Sequence, residues 1–206
     1  MQRASSPRLI AFDLGNVLTM VDERPAAREL ARLSGATEER AFSVCFDPRV
    51  KRVLETGQVT FPEFASAAMR DLGLRIPLER FIEIFGLSLT PNLEIFGLVE
   101  AVASHHRVAL CSNTSEPHWA LERGRLPFAA RFDPVVLSYQ VGAMKPDRRI
   151  YDSISRLSGV PHEAIMFIDD VPANVEGAIA TGIRGVQFTT VRQLEADLLG
   201  AGVQVG

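Results

Sequence analysis

At 206 residues the chain has room for one sizeable core with an insertion, or for two small domains. With 47% hydrophobic and 23% charged residues it has an ordinary globular composition, and a net charge of −3 without a basic block leaves no footprint for nucleic acid or an anionic membrane surface. Small molecules are therefore the expected partners.

Met1 to Arg8 carries two Ser, a Pro and two Arg, and precedes an apolar run, Leu9-Ile10-Ala11-Phe12, that stops at Asp13. The run is too short for a signal peptide or a membrane span. It reads as a buried strand with a carboxylate at its mouth, and near-continuous apolar strands mark a parallel sheet covered on both faces. From about Met20 to Asn92 the chain shows amphipathic helix patterns over Arg24–Leu33, Glu38–Phe46, Arg49–Glu55, Pro62–Leu72 and Leu78–Leu87. Gly35, Pro48, Gly57, Gly73, Pro77 and Pro91 punctuate their junctions. No strand is expected in this segment. Phe42, Phe46, Phe61, Phe64, Phe81 and Phe85 recur at helical spacing and predict its core, while Arg49, Lys51 and Arg52 could reach an anionic substrate but read better as a solvated helix face.

Strand-type runs return at Val108–Cys111, Pro134–Leu137, Ala164–Ile168 and Gly185–Phe188. Between them, helices are expected over Glu116–Arg123, over Asp147–Leu157 with Ile150, Ile154 and Leu157 on one face, and over Ala173–Ala180 with Gly182 as a stop. His105-His106 reads as a loop or helix end. The alternation implies a doubly wound α/β core, made of residues 1–19 and 93–206, with an all-helical unit inserted over 20–92. Cys45 and Cys111 are the only cysteines, and Cys111 lies in a buried strand, so a reduced, cytoplasmic setting is expected.

Four polar clusters follow strand-like runs: Asp13, Ser112-Asn113, Lys145 before Pro146, and Asp169-Asp170. In a parallel sheet they converge on the edge where such folds bind ligands. The types are complementary. Asp13, Asp169 and Asp170 supply the hard oxygens that Mg²⁺ prefers, Lys145 supplies a point charge for phosphate, and the Ser112 hydroxyl with nearby backbone N–H groups can donate to further oxygens. Asn174 is placed to support the acidic loop. Alone, Asp169-Asp170 would also suit the N-terminus of the following helix.

In order along the chain, Phe12-Asp13-Leu14-Gly15-Asn16-Val17-Leu18, Cys111-Ser112-Asn113-Thr114, Lys145-Pro146 and Ile168-Asp169-Asp170-Val171-Pro172-Ala173-Asn174 resemble the four motifs of the haloacid dehalogenase-like hydrolase superfamily. The insertion sits where that family places its helical cap, and Glu55-Thr56-Gly57-Gln58-Val59-Thr60 with Glu63-Phe64 resembles a recurring cap sequence. The resemblance implies that Asp13 attacks a substrate phosphorus to form an aspartyl-phosphate, which water then hydrolyses. It further implies Mg²⁺ held by Asp13, the Gly15 carbonyl and the Asp169-Asp170 pair, with Asp170 the principal ligand of the pair. The substrate would be a small phosphorylated metabolite, and the first motif resembles that of sugar-1-phosphate phosphatases.

One position departs from the pattern. Most phosphatases of the superfamily carry a general acid/base Asp two residues after the nucleophile, where this chain has Gly15. General acid–base assistance is typically worth about a hundred- to ten-thousandfold. A good leaving group, a cap residue, a metal-bound water or His118 would have to compensate. Two other readings stand beside the phosphatase: carbon–halogen hydrolysis without a metal, against which the acidic pair argues, and a catalytically weak member that binds a phosphorylated ligand or a partner protein.

Overall fold

The computed structural model describes residues 6–206; the first five residues of the expected core segment 1–19 lie outside them. β1 (Leu9–Phe12) and a short β2 (Thr19–Val21) lead into five helices, α1 (Arg24–Ser34), α2 (Glu38–Phe46), α3 (Pro48–Glu55), α4 (Phe61–Asp71) and α5 (Leu78–Phe85). β3 (Leu89–Pro91) returns the chain to α6 (Leu93–His105). Strands and helices then alternate through β4 (Val108–Ser112), α7 (Glu116–Arg125), β5 (Phe132–Leu137), the one-turn α8 (Ser138–Val141), α9 (Arg148–Ser158), β6 (Ile165–Asp169), α10 (Pro172–Ala180), β7 (Arg184–Gln187) and α11 (Val191–Gly200).

The main sheet runs β5-β4-β1-β6-β7, and every pairing in it is parallel. β1 is central because it is the most apolar strand: all four of its residues are fully buried. Ile10 and Phe12 face a core with Val99 of α6, Trp119 of α7 and Leu194 of α11, while Leu9 and Ala11 face Ile150 of α9 and Ala178 of α10. Helices thus cover both faces, as the alternation predicts.

Helices α1 to α5 enclose their own apolar cluster around Leu30, Phe46, Phe61, Phe64, Phe81 and Phe85. α4 is set by a capping box, in which Thr60 accepts from the Glu63 N–H and Glu63 Oε2 accepts from the Thr60 N–H at 2.8 Å. Contrary to expectation, this segment is not purely helical at its ends. Thr19–Val21 and Leu89–Pro91 form an antiparallel pair joining the helical unit to the core. Three residues are too few to show a period of two, and the partners lie far apart in sequence. α7 grips both strands: the Thr19 hydroxyl donates to buried Glu122, and Arg125 Nη1 donates to the Leu89 carbonyl at 3.2 Å.

Two core helices also go beyond the expected set. α6 is apolar on most sides and interrupted by Gly97, which blurs its helical period. α11 is signalled by its cap, Thr190 Oγ1 accepting from the Gln193 N–H at 3.1 Å.

Candidate active site

Because β1, β4 and β6 are parallel, Asp13 just after β1 and Ser112 and Asp169 at the ends of β4 and β6 come to one sheet edge. Asp13 is fixed first through its backbone, its N–H donating to the Ile168 carbonyl at 2.9 Å. Its Oδ1 accepts from the Leu14 N–H at 2.7 Å and from Lys145 Nζ at 2.7 Å. The same ammonium reaches Asp169 Oδ2 at 2.6 Å and stands 5.2 Å from the Phe167 ring centroid. With its side chain 1% exposed, Lys145 is a buried cation whose two carboxylate partners offset the cost of its desolvation.

The surroundings hold that lysine from several sides. Asn113 grips its backbone, Oδ1 accepting from the Lys145 N–H at 2.8 Å and Nδ2 donating to the Lys145 carbonyl at 3.1 Å. Gly177 lets α10 press on the same loop, since a Cβ there would lie 2.7 Å from Pro146 Cβ. Asp169 has both oxygens engaged: Oδ1 accepts from the Val171 N–H at 2.9 Å and from Asn174 Nδ2 at 3.0 Å, and Oδ2 accepts from Lys145 and, at 3.1 Å, from Asn174. Half-buried Asp170 accepts from Asn16 Nδ2 at 3.2 Å. The Ser112 hydroxyl makes only a long bond, 3.4 Å, to the Asn113 carbonyl.

Carboxylate oxygens of Asp13, Asp169 and Asp170 lie within 4.8 Å of one another. Burial pushes the Asp13 carboxyl up to about 7, Lys145 opposing and Asp169 adding. Asp170 is likewise raised by burial, against its bond from Asn16. Burial works against the Lys145 charge, but Asp13 and Asp169 outweigh it and hold the ammonium above the usual lysine range. Three clustered carboxylates against one lysine leave an excess of negative charge on hard oxygen donors, a donor set that fits a small divalent cation.

A cleft of about 560 Å³ separates this centre from the helical unit, with Asp13, Lys145 and Asp170 on the core side and Phe42, Lys51 and Glu55 opposite. A smaller cavity of about 80 Å³ adjoins it and is lined by Thr114, Ser115 and His118 among others. Gly15, Glu23, Lys51 and Glu55 line both.

Several expectations are corrected by this geometry. Asn113 lines both cavities, and each polar atom of its side chain also serves the Lys145 backbone, so the amide positions the lysine as well as bordering the cleft. His118 lines the smaller cavity, its Nε2 is 3.3 Å from the Phe85 carbonyl and 3.2 Å from Ser88 Oγ, and its ring stacks on Phe85. Burial pushes it down to about 4, the Phe85 carbonyl opposing, so near neutral pH it has no proton to donate as an acid. Lys51 is half-buried and paired with Glu23 at 2.7 Å, not part of a solvated face.

Asn16, Glu23 and Glu55 are site residues that sequence reasoning missed. Asn16 adopts φ +52° and bridges Asp170 to the Val21 N–H, which Oδ1 accepts at 3.1 Å. The signal was present, because asparagine tolerates the left-handed turn better than other non-glycine residues. Glu23 carries no such mark, and the cap-like stretch that Glu55 opens marks the segment without showing where its carboxylate points.

The fold and site together define the class of the protein: a doubly wound α/β core in which a candidate nucleophile, a buried cation and an acidic pair meet at one sheet edge, facing a helical insertion. A family model described as haloacid dehalogenase-like hydrolase matches residues 7–182, and the chain belongs to that family. Phosphatase MT3486 of Mycobacterium tuberculosis is 42% identical over 187 residues, covering 85% of this chain and 84% of its own length. D-ribitol-5-phosphate phosphatase of Bacteroides thetaiotaomicron is 25% identical over 175 residues, 81% of this chain and 84% of that protein. A HAD family enzyme of B. thetaiotaomicron, solved in complex with magnesium and inorganic phosphate, matches with TM-score 0.76 at 21% identity, over 89% of this chain and 94% of that one. A HAD-like family hydrolase of Porphyromonas gingivalis matches with TM-score 0.79 at 26% identity, over 95% and 98%.

Proposed function

We propose that this protein is a Mg²⁺-dependent phosphatase that hydrolyses a small phosphorylated metabolite through an aspartyl-phosphate on Asp13. The observation that carries the reading is Lys145 Nζ bridging Asp13 and Asp169 inside a cluster of carboxylate oxygens that reach within 4.8 Å of one another. A sugar or polyol phosphate is the favoured substrate class, on the strength of the Asp13-Leu14-Gly15-Asn16-Val17 motif and of the relative named for D-ribitol 5-phosphate.

Asp13 supplies the attacking oxygen, oriented by the Leu14 N–H. Lys145 presents three N–H donors; two hold Asp13 and Asp169, which leaves the third for a phosphoryl oxygen. The Ser112 hydroxyl donates to another, and such preorganised donors stabilise charge that develops in the transition state. Asp13, Asp170 and the Gly15 carbonyl would hold Mg²⁺, which would supply positive charge against the phosphoryl oxygens facing an anionic nucleophile. Asp169, with Asn174, serves mainly to position Lys145 and the acidic loop.

We assign residues 1–19 and 93–206 to the catalytic core and 20–92 to a cap that shields the reaction from water and selects the substrate. A reduced, cytoplasmic setting suits two buried free cysteines, Cys45 and Cys111. Among the described residues no helix is long and apolar enough to cross a membrane.

A phosphate-release screen over sugar, polyol, nucleotide and acyl phosphates tests the reading. The expected result is turnover with Mg²⁺ that EDTA abolishes and added Mg²⁺ restores. Halide release from 2-haloacids in EDTA, with no phosphate release, would overturn it.

A further inference from the structure

With glycine at position 15 and His118 neutral and held against Phe85 and Ser88, the phosphatase lacks an obvious proton carrier. We infer that Glu55, reaching the cleft from the helical side, is the general acid and base of the reaction, a role that rests on the phosphatase reading above. Gly15 and Glu55 line the same two cavities. Position 15 and Glu55 therefore border shared space, from the core and from the cap.

The other titratable groups there are already engaged. Glu23 and Lys51 are paired at 2.7 Å, Lys145 is clamped between Asp13 and Asp169, and His118 contacts Phe85 and Ser88. Glu55 differs: it is 9% exposed, and among the described residues neither a hydrogen bond nor an ion pair reaches its carboxyl. Buried polar groups normally have partners, and one left open at a cleft is suited to a reacting ligand. Burial raises it above the usual glutamate range, with Lys51 and Lys145 opposing and Glu23 adding, the direction a general acid needs. Its position is held at the seam, because Gly57 sits so close to the core that a Cβ there would fall 2.3 Å from the Tyr139 carbonyl oxygen.

In the first half-reaction an Asp13 oxygen bonds to phosphorus, the bond from phosphorus to the leaving oxygen breaks, and that oxygen takes the proton of the Glu55 carboxylic acid to depart as an alcohol. In the second, the Glu55 carboxylate takes a proton from water as the water oxygen bonds to phosphorus. The bond from phosphorus to Asp13 breaks, inorganic phosphate leaves, and Glu55 is again protonated.

Leaving-group dependence tests this. Glu55→Gln keeps the shape and should lower kcat for an alkyl phosphate by about a hundredfold or more. p-Nitrophenyl phosphate, whose leaving group needs no proton, should still give a stoichiometric burst of p-nitrophenol in this variant, followed by slow turnover. The site admits a restored acid, since a Cβ at Gly15 meets only Val21 Cγ2 at 3.4 Å. Adding Gly15→Asp to Glu55→Gln should therefore recover part of the alkyl-phosphate rate. Wild-type rates in Glu55→Gln, or loss of the burst along with alkyl turnover, would overturn the role of Glu55. Inactivity of the wild type on every phosphate ester would instead overturn the phosphatase reading.

Discussion

The two walls of the cleft are built on opposite plans. On the core side Lys145, Asp169, Asn174 and Asn113 satisfy one another in a buried network. On the helical side Glu55 is also buried but has no partner for its carboxyl among the described residues, and nearby Ser115 Oγ, on the core loop lining the inner cavity, is likewise buried without a hydrogen bond among them. A closed network holds geometry fixed whether or not a ligand is present, which suits a nucleophile and its cation. Open groups are completed by whatever binds, which suits selection and proton transfer.

The largest effect that would break this contrast is at Lys145. Lys145→Met leaves Asp13 and Asp169 buried without their cation, and removing one member of such a pair costs about 3–5 kcal/mol. Urea unfolding in the absence of divalent cations should show that loss, and phosphate release should vanish. Stability close to wild type would mean that the core network is no tighter than the helical wall.

A smaller effect is expected where the walls touch. Gly57 has φ +67° and packs on the Tyr139 backbone, so Gly57→Ala meets both a left-handed conformation and a steric clash. The conformation alone costs about 1–2 kcal/mol. Because moving the helical unit outward relieves the clash but not the conformational cost, kcat/KM should fall by roughly tenfold while the melting temperature falls by only a few degrees. A large drop in melting temperature with unchanged kcat/KM would show that the contact supports folding instead of closure.

At His118 the effect is confined to acid pH, and its sign is set by burial. Its pKa is pushed from 6.5 to about 4, so the unfolded chain binds a proton in that window that the folded chain refuses. The neutral ring therefore contributes stability that is complete above pH 6.5 and is lost as the pH falls toward about 4. His118→Phe retains a ring against Phe85 and should flatten the decline in melting temperature across that window. A decline as steep as in wild type would mean that His118 titrates like an exposed imidazole.

The main sheet was legible because buried parallel strands announce themselves as apolar runs, and the chemistry was legible because Asp13, Ser112, Lys145 and Asp169 follow those strands directly or by one short loop. β2 and β3 were not, since their pairing is long-range and each is only three residues long. Glu55 was visible in the sequence only as a helix end and as the start of a cap-like stretch. Its importance comes from the two cavities that it lines together with Gly15, which the folding of the insertion back onto the core creates. Likewise, the sequence signals for Asn113 and His118 mark residues near strand β4, but they do not reveal which way the side chains turn.

The central claim is covalent chemistry at Asp13, and chemical trapping tests it most directly. The enzyme is acid-quenched during Mg²⁺-dependent turnover of p-nitrophenyl phosphate, reduced with borohydride and mapped by mass spectrometry. An aspartyl-phosphate at Asp13 predicts homoserine in place of that aspartate, and none in an Asp13→Asn variant, which should also be inactive. Continued turnover with Asp13 unmodified in the quenched wild type, or wild-type activity in Asp13→Asn, would contradict it.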